Sequence, residues 1–200
     1  RCTLPCRSSA GFLVNRVLVP YLHEAMYAAS DGLDLTTIDK AALDFGMPMG
    51  PIELVDTVGL DVAASVGKIM AEFHGQALPD VFKLEDGKRG KKDGQGLYKW
   101  EAGKAIKPEL PKDYKAPEDL QDRLVFALLN EAVSCLHQGV VADADLLDAG
   151  VIFGTGFAPF RGGPIAHIKA VGAPVCLDKL KQLEAKYGSR FAPKAGWESL

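Results

Sequence analysis

Between Gly11 and Ser30 the apolar residues Val14, Val17, Leu18, Tyr21, Leu22, Ala25 and Ala29 recur at the spacing of one helix face, and Gly32 follows where a helix would close. At 1.5 Å per residue this predicts a helix about 30 Å long. Pro20 lies inside it, takes the partner of the Arg16 carbonyl away and predicts a bend there. Thr36 or Thr37 is placed to N-cap a short helix ending at Phe45, Gly46-Met-Pro-Met-Gly-Pro51 reads as a turn, and a further helix is predicted from Gly59 to about Phe73. Later segments with the same period predict helices over 117–138, 144–150, 164–170 and 174–187. The intervening stretch, Gly87 to Trp100 and then 101–116, is rich in Gly, Lys and Pro and reads as loop and linker with room for one small hairpin. The expected fold is all-α.

The pattern also repeats. Arg16, Glu24-Ala25 and Gly32 return as Arg123, Glu131-Ala132 and Gly139 at a constant offset of 107, and Gly50-Pro51-Ile52 returns as Gly163-Pro164-Ile165 at 113. Two copies of one helical unit, each with an apolar face too large for itself, are expected to pack as an internal pseudo-dimer. The division this predicts is 1–100 for the first repeat with its closing Gly/Lys loop, 101–117 for a linker and 118–200 for a second, structural repeat.

The repeat bears on Val151-Ile-Phe-Gly-Thr-Gly-Phe-Ala-Pro-Phe-Arg-Gly-Gly163, an apolar run into Gly-x-Gly that resembles the start of a dinucleotide-binding unit. It occupies the slot of Leu43–Ile52, which has no Gly-x-Gly. Pro159 stands where the third glycine belongs, and Gly162-Gly163-Pro164 break the helix whose N-terminus a pyrophosphate needs. The motif is therefore expected to be a helix-to-helix turn, and no cofactor is expected on this chain.

A hydrophobic content of 48% over 200 residues suits a globular core, and a net charge of −3 gives no basic footprint for nucleic acid. Asn15 and Arg16 interrupt the best apolar run, Phe12 to Leu22, so no membrane span is expected. The start lacks the order of a signal peptide, which points to a reducing, cytoplasmic setting with Cys2, Cys6, Cys135 and Cys176 as free thiols. Neither the cysteines nor His23, His74, His137 and His167 have metal-ligand spacing, and each histidine reads as a surface or packed residue. The chain begins at Arg1 without Met and runs almost at once into a helix, as a piece of something longer would.

Residues kept in both copies read as architecture: Glu24 and Glu131 as helix-pairing carboxylates, Arg16 and Arg123 as ion-pair or carbonyl-capping groups. Asn15 differs, since its counterpart is Asp122. At the edge of the apolar stripe it reads as a buried amide that must satisfy both its carbonyl and its NH₂. Backbone groups or a ligand oxygen would serve, and the pattern leaves both open. Lys88-Arg89-x-Lys91-Lys92 reads as a solvated loop, with contact to the phosphates of a coenzyme A-type ligand as the alternative.

Gly11-Phe-Leu-Val-Asn-Arg-Val-Leu-Val-Pro-Tyr-Leu-His-Glu-Ala25, Asp39 to Ala42, Gly46–Pro51, Asp56-x-x-Gly59 and Gly90-Lys-Lys-Asp-Gly-Gln-Gly-Leu-Tyr-Lys99 together resemble the C-terminal region of the L-3-hydroxyacyl-CoA dehydrogenases. Gly154-Thr-Gly-Phe-Ala-Pro-Phe-Arg-Gly-Gly-Pro164 is similar to the repeated C-terminal domain of the multifunctional fatty-acid-oxidation α subunits. The resemblance implies a parent enzyme that oxidises an L-3-hydroxyacyl-CoA to the 3-ketoacyl-CoA, with NAD and the general-base histidine and its glutamate on a Rossmann domain outside this chain. It implies that Asn15 positions substrate and that Pro48 is a second substrate-binding candidate. It also implies upstream Rossmann and hydratase domains, a thiolase subunit as partner, and an isolated chain without activity. A helical scaffold that only binds a partner is the alternative.

Overall fold

The apolar period after Leu13 is realised as α1 (Val14–Ser30), which runs through Pro20 and buries Val17, Tyr21, Ala25 and Ala28. The structure is a computed structural model that describes residues 4–75, 87–110 and 115–200. Cys2 lies outside the described residues. Contacts gather the chain into two compact units that interleave along the sequence. One holds the described residues up to Tyr21 together with Asp122–Leu200, and the other holds Leu22–Gln121.

In the Leu22–Gln121 unit, α1 gives way to α2 (Leu35–Phe45), α3 (Pro51–Val58) and α4 (Leu60–His74), followed by the antiparallel hairpin β1 (Lys99–Glu101) and β2 (Lys104–Ile106). The cap of α2 is Asp34, whose carboxylate accepts the Thr36 and Thr37 amides at 2.8 and 3.3 Å, so the threonines expected to cap lie inside the first turn instead. α3 is a helix of its own, over residues that the sequence reading leaves unassigned between the Gly46–Pro51 turn and the helix predicted from Gly59. Pro51 at its first position loses nothing by lacking an N–H, and Asp39 on α2 reaches across to accept the amides of Ile52 at 2.8 Å and Glu53 at 3.4 Å. The carboxylate thus satisfies orphan donors and sits at the positive end of the helix. Gly50 leaves room for it, because an added Cβ would lie 2.1 Å from Asp39 Cγ.

The other unit joins the first turns of α1 to α5 (Leu120–His137), α6 (Ala144–Thr155), α7 (Pro164–Val171) and α8 (Ala173–Tyr187). α6 runs five residues past the predicted Gly150. The α3 device recurs here: Asp148 on α6 accepts the amides of Ile165 and Ala166 on α7 at 2.7 and 2.9 Å, and a Cβ on Gly163 would strike it at 2.4 Å. Leu124, Leu128, Val151, Ile165, Ile168, Leu180 and Phe191 are buried in this unit. Its C-terminal segment is held by Asn130, which donates to the Ala192 carbonyl at 2.9 Å and accepts the Lys194 amide and the Trp197 indole at 3.0 and 2.9 Å.

Candidate functional site

Asn15 lies in the first turn of α1, and its side chain is exposed, contrary to the buried amide that the stripe predicted. The apolar period has only begun at Val14, so the amide falls on the outer face, open to a ligand or a further domain. The turn around it is fixed. Arg16 is 2% exposed and spends its guanidinium on Glu131 Oε1 at 2.7 Å, Ser9 Oγ at 2.8 Å and Gln138 Oε1 at 2.8 Å. Glu131 also receives Lys194. Such a buried charge persists only when paired and hydrogen-bonded on all sides, and these partners hold the backbone next to Asn15. The ion-pair role expected for Arg16 is therefore made with Glu131.

Pro48 is exposed in the turn between α2 and α3, in the Leu22–Gln121 unit, whereas Asn15 is in the other. Beside that turn the Gly-rich segment is tied down by two buried helix carboxylates. Asp56 on α3 accepts the Leu97 and Tyr98 amides, each at 2.8 Å, and the Trp100 indole at 3.0 Å. Asp39 accepts the Tyr98 hydroxyl at 3.0 Å and pairs with Lys107 at 2.9 Å, which also reaches Glu53 at 2.7 Å. Burial pushes the Asp39 carboxyl above its ordinary range, against the pull of Lys107 and the donated hydrogen bonds. Tyr98 is raised too, by burial and the adjacent carboxylate. A Cβ on Gly96 would lie 2.3 Å from Asp56 Oδ1, so the segment can lie this close only with glycine there.

The basic run is largely neutralised from within. Arg89 forks onto Asp93 at 2.8 and 2.9 Å, Lys92 pairs with Asp61 at 2.6 Å, and the Lys91 ammonium stands 5.3 Å from the Trp100 ring centre. These contacts favour the structural reading of the run over a phosphate site.

Gly154 lies within α6 and Gly156 closes it in the left-handed conformation, with its N–H on the Ile152 carbonyl at 2.8 Å. A short 3₁₀ turn, Pro159–Arg161, follows. The Gly-x-Gly ends a helix instead of opening one and offers no ring of free amides, so a dinucleotide pyrophosphate does not fit there. Among the described residues no His/Cys/Asp/Glu group could hold a metal ion, and no helix is long and apolar enough to cross a membrane. His23 is buried, and desolvation with the nearby charge of His74 pulls its pKa down to about 4. His137 is exposed and His167 half-buried.

Asp39, Asp56 and Lys107 as loop anchors were missed by sequence reasoning. The available signal was a helix acid at a position that should be apolar, together with a glycine-rich segment later in the chain.

Residues 11–100 match the model of the 3-hydroxyacyl-CoA dehydrogenase C-terminal domain. The chain is 39% identical over 202 residues to the fatty acid oxidation complex subunit alpha of Vibrio parahaemolyticus, covering 95% of this chain and 29% of that protein. It is 40% identical over 205 residues to the subunit of the same name from Vibrio vulnificus, with the same coverage. The chain thus spans 29% of the length of these curated relatives. The crystal structure of 3-hydroxybutyryl-CoA dehydrogenase from Escherichia coli K12 superposes with a TM-score of 0.74 over 97% of this chain and 60% of that one, at 23% identity, which establishes likeness of fold.

Proposed function

The chain belongs to the 3-hydroxyacyl-CoA dehydrogenase family through the C-terminal domain at residues 11–100, and from that premise we propose that it is the substrate-side helical part of an enzyme oxidising L-3-hydroxyacyl-CoA to 3-ketoacyl-CoA in fatty-acid β-oxidation. The observation that carries this reading is the exposed Asn15 amide on a turn whose neighbours are locked in place. Its NH₂ is free to donate to a substrate oxygen, and a preorganised donor of that kind contributes to rate because it need not reorganise. Pro48, exposed in the turn between α2 and α3, is a second substrate-binding candidate.

In this reading NAD and the proton-accepting histidine belong to a Rossmann domain of the same polypeptide, with a hydratase domain further upstream, a thiolase subunit as partner and a cytoplasmic setting. The coverage of 29% of the relatives' length supports a larger parent protein. The 1–100 and 118–200 segments are then tandem copies joined by 101–117, supported by the matching Asp39–Ile52 and Asp148–Ile165 contacts. The second copy is structural. It carries Asp122, paired with Lys179, where Asn15 stands in the first, and Lys169 at the place of Asp56, so it cannot clasp a Gly-rich segment.

Joined to the NAD-binding domain of such a dehydrogenase, the chain is expected to oxidise NADH with acetoacetyl-CoA, and alone to give no turnover. Asn15→Ala should lower the fused enzyme's kcat by about 10²-fold. Turnover by the chain alone, or full kcat in the Asn15 variant, would overturn the reading. A partner-binding scaffold is favoured by one feature, the stripe Val62, Ile69 and Phe73 on α4, which are 45%, 60% and 47% exposed; that reading predicts full kcat in Asn15→Ala.

A further inference from the structure

The first turn of α1 is gripped on a second flank by a surface without side chains. A Cβ on Gly154 would lie 2.4 Å from Val14 Cγ2, 3.0 Å from Cγ1 and 3.3 Å from Cβ. A Cβ on Gly150 would lie 2.5 Å from Leu4 Cδ2 and 2.8 Å from Leu13 Cδ2. Four residues apart on α6, the two glycines share one face of that helix and open a groove for Leu4, Leu13 and Val14. Glycine inside a helix is worse than alanine for the helix itself, so close approach of another chain segment is the reason that offsets it. Asn15 follows Val14 directly and precedes Arg16, whose guanidinium is fixed by Glu131 and Gln138. Every one of these gripping groups comes from residues 131–154.

We propose that Gly154, acting through Val14, is a positioning residue for Asn15. The groove sets the depth at which the first turn of α1 seats on α6, and the Arg16 network sets its rotation. Together they aim the exposed amide. This rests on the reading that Asn15 meets the substrate, and it gives the 118–200 half a part in catalysis that is mechanical and specific. An alanine at Gly154 has to push against the branched end of Val14, which cannot swing clear as a long flexible side chain would. The displacement passes to Asn15, where an error of about 1 Å is enough to cost up to about 10²-fold in rate.

The test compares Gly154→Ala, Val14→Ala and the double variant, with Asn15→Ala alongside, in the chain fused to the NAD-binding domain. Gly154→Ala should lower kcat and kcat/KM together by about tenfold, the pattern of a contact made only in the transition state. Adding Val14→Ala removes both Cγ atoms and should restore kcat to within about twofold, since the two sites are coupled through that clash. In the 200-residue chain alone, the Val17 amide, which donates to the Leu13 carbonyl at 3.1 Å, should exchange faster in Gly154→Ala and recover in the double variant. Full kcat in Gly154→Ala beside an impaired Asn15→Ala overturns this inference alone. A loss that Val14→Ala does not rescue also overturns it, because general destabilisation would then be the cause. Full kcat in Asn15→Ala overturns the underlying reading instead.

Discussion

The carboxylate of Asp56 accepts the indole N–H of Trp100 at 3.0 Å across 44 residues of sequence, and the same oxygen takes the Tyr98 amide at 2.8 Å. With Leu97 on the other oxygen, one buried acid terminates three donors of the Gly-rich segment that leads into the two-stranded hairpin. Asp56→Ala strands all three. The expected cost is about 3–5 kcal/mol, the range for removing one side of a buried charged network. Urea unfolding measures it, and the Trp100 indole proton resonance should move towards its solvent-exposed position. An unchanged midpoint would mean that the segment finds other acceptors.

Asn130 plays the corresponding part for the other tryptophan, and here the acceptor is neutral. Its Oδ1 takes both the Lys194 amide and the Trp197 indole, while its NH₂ holds the Ala192 carbonyl. Asn130→Ala is expected to cost about 2–3 kcal/mol, several neutral hydrogen bonds with their partners left buried. Faster amide exchange should be confined to residues 189–200. Uniform acceleration through α5 would instead point to a packing defect in the helix.

Two glycines separate steric cost from backbone cost. Gly50 has φ −67°, open to any residue, but its Cβ would lie 2.1 Å from Asp39. Gly32 has φ +89° and nothing within 4 Å. Gly32→Ala should therefore cost about 1 kcal/mol from the left-handed backbone alone. Gly50→Ala should cost about 2–3 kcal/mol, because Asp39 must leave its two amide donors. Thermal unfolding of the pair decides the order, and equal costs would show that α2 and α3 move apart freely.

The helices were legible because a 3.6-residue period survives from sequence into burial: Val17, Tyr21 and Ala25 sit where the stripe put them. Errors came where local and distant groups compete. Thr36 looked like a cap, but Asp34, two residues earlier, starts the helix first and takes the Thr36 and Thr37 amides with a charged acceptor. α3 was hidden because Gly50-Pro51 is both a turn signal and a helix start, and only Asp39, on a separate helix, decides between them. Asn15 stands at the edge of the stripe, where the period alone does not decide burial, and the first turn of α1 leaves it exposed. The clasp at Asp56 spans 41 to 44 residues and leaves no periodic trace. A helix acid at an apolar position signals a buried acceptor but does not say which amides it will meet.

His23 gives the fold a pH limit whose sign can be worked out. Its folded pKa, about 4, lies below the ordinary 6.5, through desolvation first and the charge of His74 second. The folded state thus binds fewer protons than the unfolded state between those values. The contribution is complete above pH 6.5 and is lost as pH falls towards 4, amounting to about 3 kcal/mol. Asp39 and Asp148 act in the opposite sense, because burial raises their folded pKa values and the folded state takes up their protons first. The wild-type curve alone therefore mixes the two effects. His23→Gln removes only the histidine term, so the stability difference between wild type and variant should be constant above pH 6.5 and shift by about 3 kcal/mol against the wild type between pH 6.5 and 4. A difference that stays flat across that window would mean His23 is protonated equally in both states, and its burial next to His74 would then carry no pH penalty.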